Sequence, residues 1–340
     1  MRISHFMAAA CCATILSLAS PAMAQDVTLR IADSLPVGHY VAEQGIKLWM
    51  KEMEERTGGK LKAEYYPASQ LGQGKDLMAL TQSGVTDIAL IQAAYISEKL
   101  PLSGVVELPE LFPTSCAGTH RYFDVASEGG ILYENELKPN GMHLLFGAAL
   151  APYQLLMKTI PVETISQLQG AKIRTGGGTQ DLLVNKLGAV PVRIPGPEMY
   201  ESLSRGTADG VILPFGSVFS YDLQGLLGYT TLSHGFGTTV TAYMISDKRW
   251  NELSPEQQKV LEEAGKEASD HLCAYIDAET EELVGKLKEA GIKVIDLKPE
   301  EQKKMSDILS SVADEWAATL DKRGLPATEL LKAMRAPAAN

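Results

Sequence analysis

The stretch 170–215 limits the possible folds more than any other. Gly170-Ala171-Lys172-Ile173-Arg174-Thr175 predicts a short strand that leads straight into Gly176-Gly177-Gly178. Thr179 to Leu187 predicts a helix, Gly188 to Val192 a second strand, the run from Pro197-Glu198 to Gly206 a second helix, and Ala208 to Leu213 a third strand. Strands separated by helices in this β-α-β-α-β order pair in parallel rather than as hairpins. In open sheets of this kind ligands bind beyond the carboxyl ends of the strands, where glycine permits φ > 0 and close backbone approach. Arg174 stands at such a strand end. Its planar fork of donors suits a carboxylate, although an arginine in this position also fits an ordinary exposed or ion-paired role.

The N-terminal half repeats the alternation. Val27–Ala32, Leu61–Tyr66 and Thr86–Ile91 predict strands, with helices to about Arg56 and over Asp76–Gln82, the first of them closed by Thr57-Gly58-Gly59. Three loops then fall at carboxyl ends of strands: Ser34–Tyr40, Tyr66–Gly72 and Gln92–Tyr95. Met142–Phe146 and Tyr153–Met157 are further strands, joined by a crossing at Gly147–Pro152, and Thr238–Ile245 predicts a strand returning to the first half. Ser254-Pro255-Glu256-Gln257 is a helix start, and the helical pattern runs on to about Ala290 with almost no breaker. A short strand over Gly291–Ile295 and a helix over Pro299–Leu320 follow. The expected class is α/β with two lobes: residues 25–150 with about 238–275, and residues 151–237 with about 276–330. Residues 331–340 are expected to be a loose tail.

Residues 1–24 read as a cleaved export signal. Arg2 precedes an apolar run from about Phe6 to Leu18, and Pro21-Ala22-Met23-Ala24 offers small residues for cleavage after Ala24. The run is shorter than the roughly 18 apolar residues of a membrane span. Export to the periplasm is therefore expected. Arg2 is the single Lys or Arg removed and no acid goes with it, so the mature charge is −12. No basic stripe is visible, which argues against nucleic acid as a partner. Of the four cysteines, Cys116 and Cys273 remain after cleavage, and an exported chain could pair them or leave them free. The six histidines are scattered, and no Cys/His cluster has zinc-ligand spacing. No nucleophile elbow, metal motif or nucleotide loop is present, which argues against an exported enzyme.

Several segments carry a family resemblance. They are Thr57-Gly58-Gly59-Lys60-Leu61-Lys62, Pro67-Ala68-Ser69-Gln70-Leu71-Gly72, Gly84-Val85-Thr86-Asp87-Ile88-Ala89, Leu108-Pro109-Glu110-Leu111-Phe112, the signature around Lys172-Ile173-Arg174 to Asp209-Gly210, and Trp250 to Glu256. Together they resemble the solute-binding proteins of TRAP (tripartite ATP-independent periplasmic) transporters, the DctP-like family. The resemblance implies a two-lobed, type II-like periplasmic binding protein with hinge strands and a long helix spanning both lobes. It implies a receptor that closes on a small carboxylate and delivers it to the small and large membrane subunits of a TRAP importer. It also implies that Arg174 binds the carboxylate and that Tyr95 faces the ligand. The long helix and the Arg174 signature count against the alternative, a binding protein of an ABC importer.

Two departures from the family pattern bear on the ligand. Many relatives carry another arginine near the lobe crossing; here no arginine lies between Arg121 and Arg174, and Tyr153 and Gln154 occupy the region. Relatives commonly have an asparagine after Asp209-Gly210, where this chain has Leu213, then Phe215. One cationic clamp with apolar walls points to a monocarboxylate with an apolar or aromatic body. The candidate ligand-binding residues are Arg174, Tyr95, Phe215, Leu213, Tyr153, Gln154, Gly176, Gly177 and His39. No resident cofactor or metal is expected, although the family leaves open a metal that bridges ligand and protein. Phe215 fits a pocket wall or core packing equally well, and Phe219, Tyr221 and Phe236 fit core packing better.

Overall fold

The computed structural model describes residues 26–336, so the export segment read in residues 1–24 lies outside it, as do residues 337–340. The strands, numbered in chain order, are β1 (Val27–Ala32), β2 (Leu61–Tyr66), β3 (Ile88–Ile91), β4 (Met142–Phe146), β5 (Gln154–Met157), β6 (Lys172–Thr175), β7 (Val190–Arg193), β8 (Gly210–Leu213), β9 (Tyr229–Thr230), β10 (Ala242–Ser246) and β11 (Lys293–Val294). They form two sheets, one per lobe. The first has the order β2-β1-β3-β10-β4 and the second β11-β9-β5-β8-β6-β7.

In the first sheet β1 pairs in parallel with β2 and β3, while β10 runs antiparallel between β3 and β4. β3 and β4 are buried along their whole length, as continuous apolar runs covered on both faces should be. In the second sheet β6 lies parallel to both β7 and β8, as the β-α-β-α-β pattern predicts. β7 is the edge strand, which is where Pro191 can sit without removing a donor the sheet needs.

Two segments cross between the lobes and pair with each other. Leu150 N–H donates to the Thr239 carbonyl (2.9 Å), Thr241 N–H to that of Ala148 (2.9 Å), and Tyr153 N–H to that of Gly237 (2.8 Å). Regular strand pairing begins only at Ala242, because the residues from Thr238 to Thr241 serve this crossing instead.

The unbroken pattern after Ser254 is one helix, Pro255–Glu289, 35 residues long and so about 52 Å at 1.5 Å per residue. Ser254 and Gln257 form a reciprocal capping box at its start. It packs on the helices Lys47–Arg56 and Ser115–Ala126 and on β4, then on the second-lobe helix Phe215–Ser220 and β11. Gly265 permits close contact: a Cβ there would lie 2.1 Å from the Leu145 carbonyl oxygen. Cys116 and Cys273 form a disulfide, which fixes the start of the helix Ser115–Ala126 to the middle of the long helix. Asp277 completes the junction by accepting from the Ser115 (2.7 Å) and Cys116 (3.1 Å) amides.

The expectation of a loose tail from residue 331 is corrected. Ala327–Arg335 is a helix whose Ala327, Leu330, Leu331 and Met334 are buried. Its four apolar residues recur at helical spacing and pack on the Ser115–Ala126 helix and on the turn Leu102–Glu107. Among the described residues no helix is long and apolar enough to cross a membrane.

Candidate functional site

The strand ends of both sheets face a narrow cavity of about 40 Å³ between the lobes. The first lobe contributes His39 from the loop after β1, and Gln92 and Tyr95 from the loop after β3. Tyr153 comes from the lobe crossing, Arg174 and Gly176 from the end of β6, and Leu213 from the end of β8. A wider outer groove of about 560 Å³, lined by Lys75, Lys99, Arg193, Glu98 and Glu198, shares Tyr95 and Gly176 with the cavity and leads to it.

Arg174 is held in the middle of a sheet. β6 lies between β7 and β8, with Arg174 in register with Val192 and Val211, so its backbone has little freedom. The side chain is 5% exposed. Its Nε donates to the Ile194 carbonyl at 2.7 Å. Among the described residues the guanidinium has no ion-pair partner, and no other charged residue lines the cavity. A buried cation without a counter-charge is costly to maintain, since no carboxylate compensates the lost hydration.

His39 is fully buried and stacks on Tyr40 with centroids 4.6 Å apart. The ring of Tyr221 meets it edge-on at 5.5 Å. Val41 N–H donates to His39 Nδ1 at 3.3 Å, while Nε2 has no partner. Burial pushes the imidazole down to about 3, so it is neutral at ordinary pH. Asp33 secures the loop that carries it. This buried carboxylate accepts from Tyr65 Oη and Tyr243 Oη, both at 2.6 Å, and from Leu35 N–H at 2.7 Å. Burial raises the Asp33 pKa, and those hydrogen bonds oppose the rise.

Contacts between the lobes surround the cavity. Tyr95 Oη accepts from Gly196 N–H at 2.8 Å. Gly177, at φ 109°, passes so close to the opposite lobe that a Cβ would lie 2.8 Å from the Ala94 carbonyl oxygen. At the N-terminus of the helix Thr179–Lys186, Glu107 Oε2 accepts from Thr179 N–H at 3.1 Å. That helix end therefore already holds a carboxyl of the protein. Burial raises Glu107 to about 8, with the Thr179 and Gln180 amides pulling the other way. Tyr153 and Tyr221 are also held protonated, first by burial, with the nearby Arg174 charge opposing it.

Of the nine candidate residues, six line the cavity: Arg174, Tyr95, Leu213, Tyr153, Gly176 and His39. Gln154 does not; it is buried in β5 opposite Leu213, and its Oε1 has no partner. Phe215 turns away into the second-lobe core with Val211, Val218 and Leu287. Gly177 serves the approach of the two lobes rather than the cavity wall. Tyr221 fits core packing on sequence, yet it stands on the cavity wall against His39. Thr239 and Thr241 line the cavity as well, and their alternation read only as a strand.

Two α/β lobes, paired crossing segments and a narrow cavity between them with one buried cation are the arrangement of a solute-binding protein. Residues 32–319 match the model of the bacterial extracellular solute-binding protein family 7, and the chain belongs to that family, the TRAP solute receptors. The chain is 26% identical over 261 residues to the 2,3-diketo-L-gulonate-binding periplasmic protein YiaO of Escherichia coli, covering 76% of this chain and 77% of that one. It is 25% identical to the C4-dicarboxylate-binding periplasmic protein DctP of Rhodobacter capsulatus, covering 93% and 95%. Among solved structures, a marine metagenome TRAP solute binding protein specific for aromatic acid ligands, in complex with 3-hydroxybenzoate, superposes with a TM-score of 0.83 at 24% identity, covering 92% and 97%. The family is extracytoplasmic, binds small organic acids and works with membrane components.

Proposed function

We propose that this chain is the exported receptor of a TRAP importer for one monocarboxylate with an apolar or aromatic body, which it passes to the small and large membrane subunits. The observation that carries this reading is the Arg174 guanidinium: buried, bonded only through Nε, and the sole charged group on the cavity wall. One uncompensated positive charge suits one carboxylate. A second carboxylate would be buried with no cation to meet it. Leu213, Leu35 and Leu150 supply apolar surface for the body of the ligand, and Tyr153 and Tyr221 supply rings. The lobes open by bending at the paired crossing segments and close when the ligand joins Arg174 on the second lobe to the first-lobe loops. The aromatic acid bound by the fold neighbour is in line with this reading, and the dicarboxylate of the named relative is the competing case.

The test is a thermal-shift and calorimetric screen against mono- and dicarboxylates, run beside Arg174→Ala. A ligand of the folded state raises Tm by mass action. Monocarboxylates with apolar or aromatic bodies should stabilise the wild type and fail on the variant. Tighter binding of dicarboxylates would overturn the charge argument, and unchanged binding by the variant would remove Arg174 from the site.

A further inference from the structure

We propose that the ligand carries a neutral oxygen acceptor in addition to its carboxylate, and that His39 Nε2–H receives it, so that His39 selects hydroxy or oxo acids over their unsubstituted counterparts. This rests on the monocarboxylate reading above.

Three observations lead to it. Val41 N–H occupies Nδ1 as an acceptor, which places the single proton of the neutral ring on Nε2. That nitrogen is buried, lies on a ring of the cavity wall, and has no partner among the described residues. The ring is also locked: Tyr40 stacks on one face, Tyr221 meets it edge-on, and Asp33 ties down the start of its loop. A rigid, buried, unmatched N–H is destabilising unless something accepts from it. A donor of this kind discriminates strongly, because an analogue without the acceptor leaves the donor unpaired while still excluding water.

The partner oxygen is neutral for a reason of charge. His39 supplies a dipole rather than a cation, and the single cation of the cavity is Arg174, which the ligand's carboxylate satisfies. A hydroxyl, ketone or ether oxygen needs no counter-charge. The hydroxyls on the wall, among them Tyr95, Tyr153 and Tyr221, can rotate to donate or accept, whereas His39 Nε2–H, fixed by the Val41 contact at Nδ1, can only donate.

The experiment is calorimetry with matched acids that differ by one oxygen. Phenylacetate is compared with mandelate, with its three ring-hydroxylated forms and with phenylglyoxylate, and 3-methylbutanoate with its 2-hydroxy and 2-oxo forms. At least one oxygenated member should bind about 10- to 100-fold tighter than its parent. His39→Phe should reduce that ratio to near unity, whatever it does to the affinity of the parent acid itself, and His39→Asn, which restores a donor, should recover part of the ratio. Nitrogen-15 NMR of the wild-type imidazole should show the proton on Nε2 and a shift of that resonance with the oxygenated acid but not the parent. Equal binding of parent and oxygenated acids by the wild type overturns the inference while leaving the monocarboxylate reading intact. So does a ratio that survives His39→Phe. Failure of every monocarboxylate to bind overturns both. Should His39→Phe not fold, the wild-type ratio and the NMR resonance decide alone.

Discussion

Arg174 and the cluster around Asp87 treat buried charge in opposite ways. Asp87, nearly buried at the far edge of the first lobe, accepts from Arg30 Nε at 3.1 Å and from Arg249 Nε at 3.0 Å, and its Oδ2 also accepts from Arg30 N–H at 2.8 Å. Each of these three charges has a partner of opposite sign within the chain, and the cluster joins β1, the loop before β3 and the segment after β10. Arg174 is more deeply buried and has only a backbone carbonyl. His39 Nε2 is open in the same way. Binding sites differ from structural networks in what they leave unsatisfied, and the two kinds of region should respond to mutation on different axes, affinity in one and stability in the other.

The largest effect should come from Arg174→Ala. Stranding the ligand's carboxylate should cost on the order of 2–5 kcal/mol, about 30- to several-thousand-fold in affinity by calorimetry. Without ligand the variant should melt no lower than the wild type, since an uncompensated buried charge has been removed. A large loss of unliganded stability would mean that Arg174 belongs with the structural networks.

Cys116→Ser with Cys273→Ser tests the other axis. The bridge closes a loop with a sequence separation of 157 and joins two helices, and its loss should cost about 2–5 kcal/mol in denaturant unfolding with little change in affinity. Next in size is Asp87→Ala, expected to lose about 1–3 kcal/mol of stability by leaving two guanidiniums without their shared acceptor. Arg30, well exposed, should contribute little of this, and Arg249 more. A clear affinity change in either variant would break the division between the two kinds of region.

The sequence displayed much of this arrangement. Alternating strands and helices, glycine stops and the capped start at Ser254 are local signals, and the parallel pairing of β6, β7 and β8 and the 35-residue helix follow them closely. Arg174 was legible because a strand end in a parallel sheet has a known relation to the cleft. Phe215 and Gln154 were not, because the side to which a residue turns depends on how the following helix packs and on cross-strand partners distant in sequence. The disulfide was equally out of reach: Cys116 and Cys273 meet only because the long helix returns across the first lobe. The helix Ala327–Arg335 was a missed local signal, since its apolar residues already repeat at three and four.

Glu107 falls between the two classes, and the smallest predicted effect separates them. Its Oε2 is bonded at the helix N-terminus, its Oε1 has no partner, and burial raises its pKa from 4.5 to about 8. The folded protein therefore holds a proton that the unfolded chain releases near 4.5. The associated stability is fully present below that pH and is lost as pH rises through about 8. Glu136, raised to about 7 and bonded to the Leu102 and Ser103 amides, adds a slope of the same sign. Glu107→Gln keeps an acceptor for Thr179 N–H and cannot ionise. Unfolding measured in urea from pH 5 to 9 should show the wild type losing stability toward high pH, and the variant losing less, by on the order of 1–3 kcal/mol at pH 9. The opposite result, a variant that is less stable at every pH above 5, would mean that the helix dipole and the two amides hold Glu107 ionised. The cavity's neighbourhood would then contain a fixed negative charge beside Tyr153, and Arg174 would no longer be the lone charge that selects a monoanion.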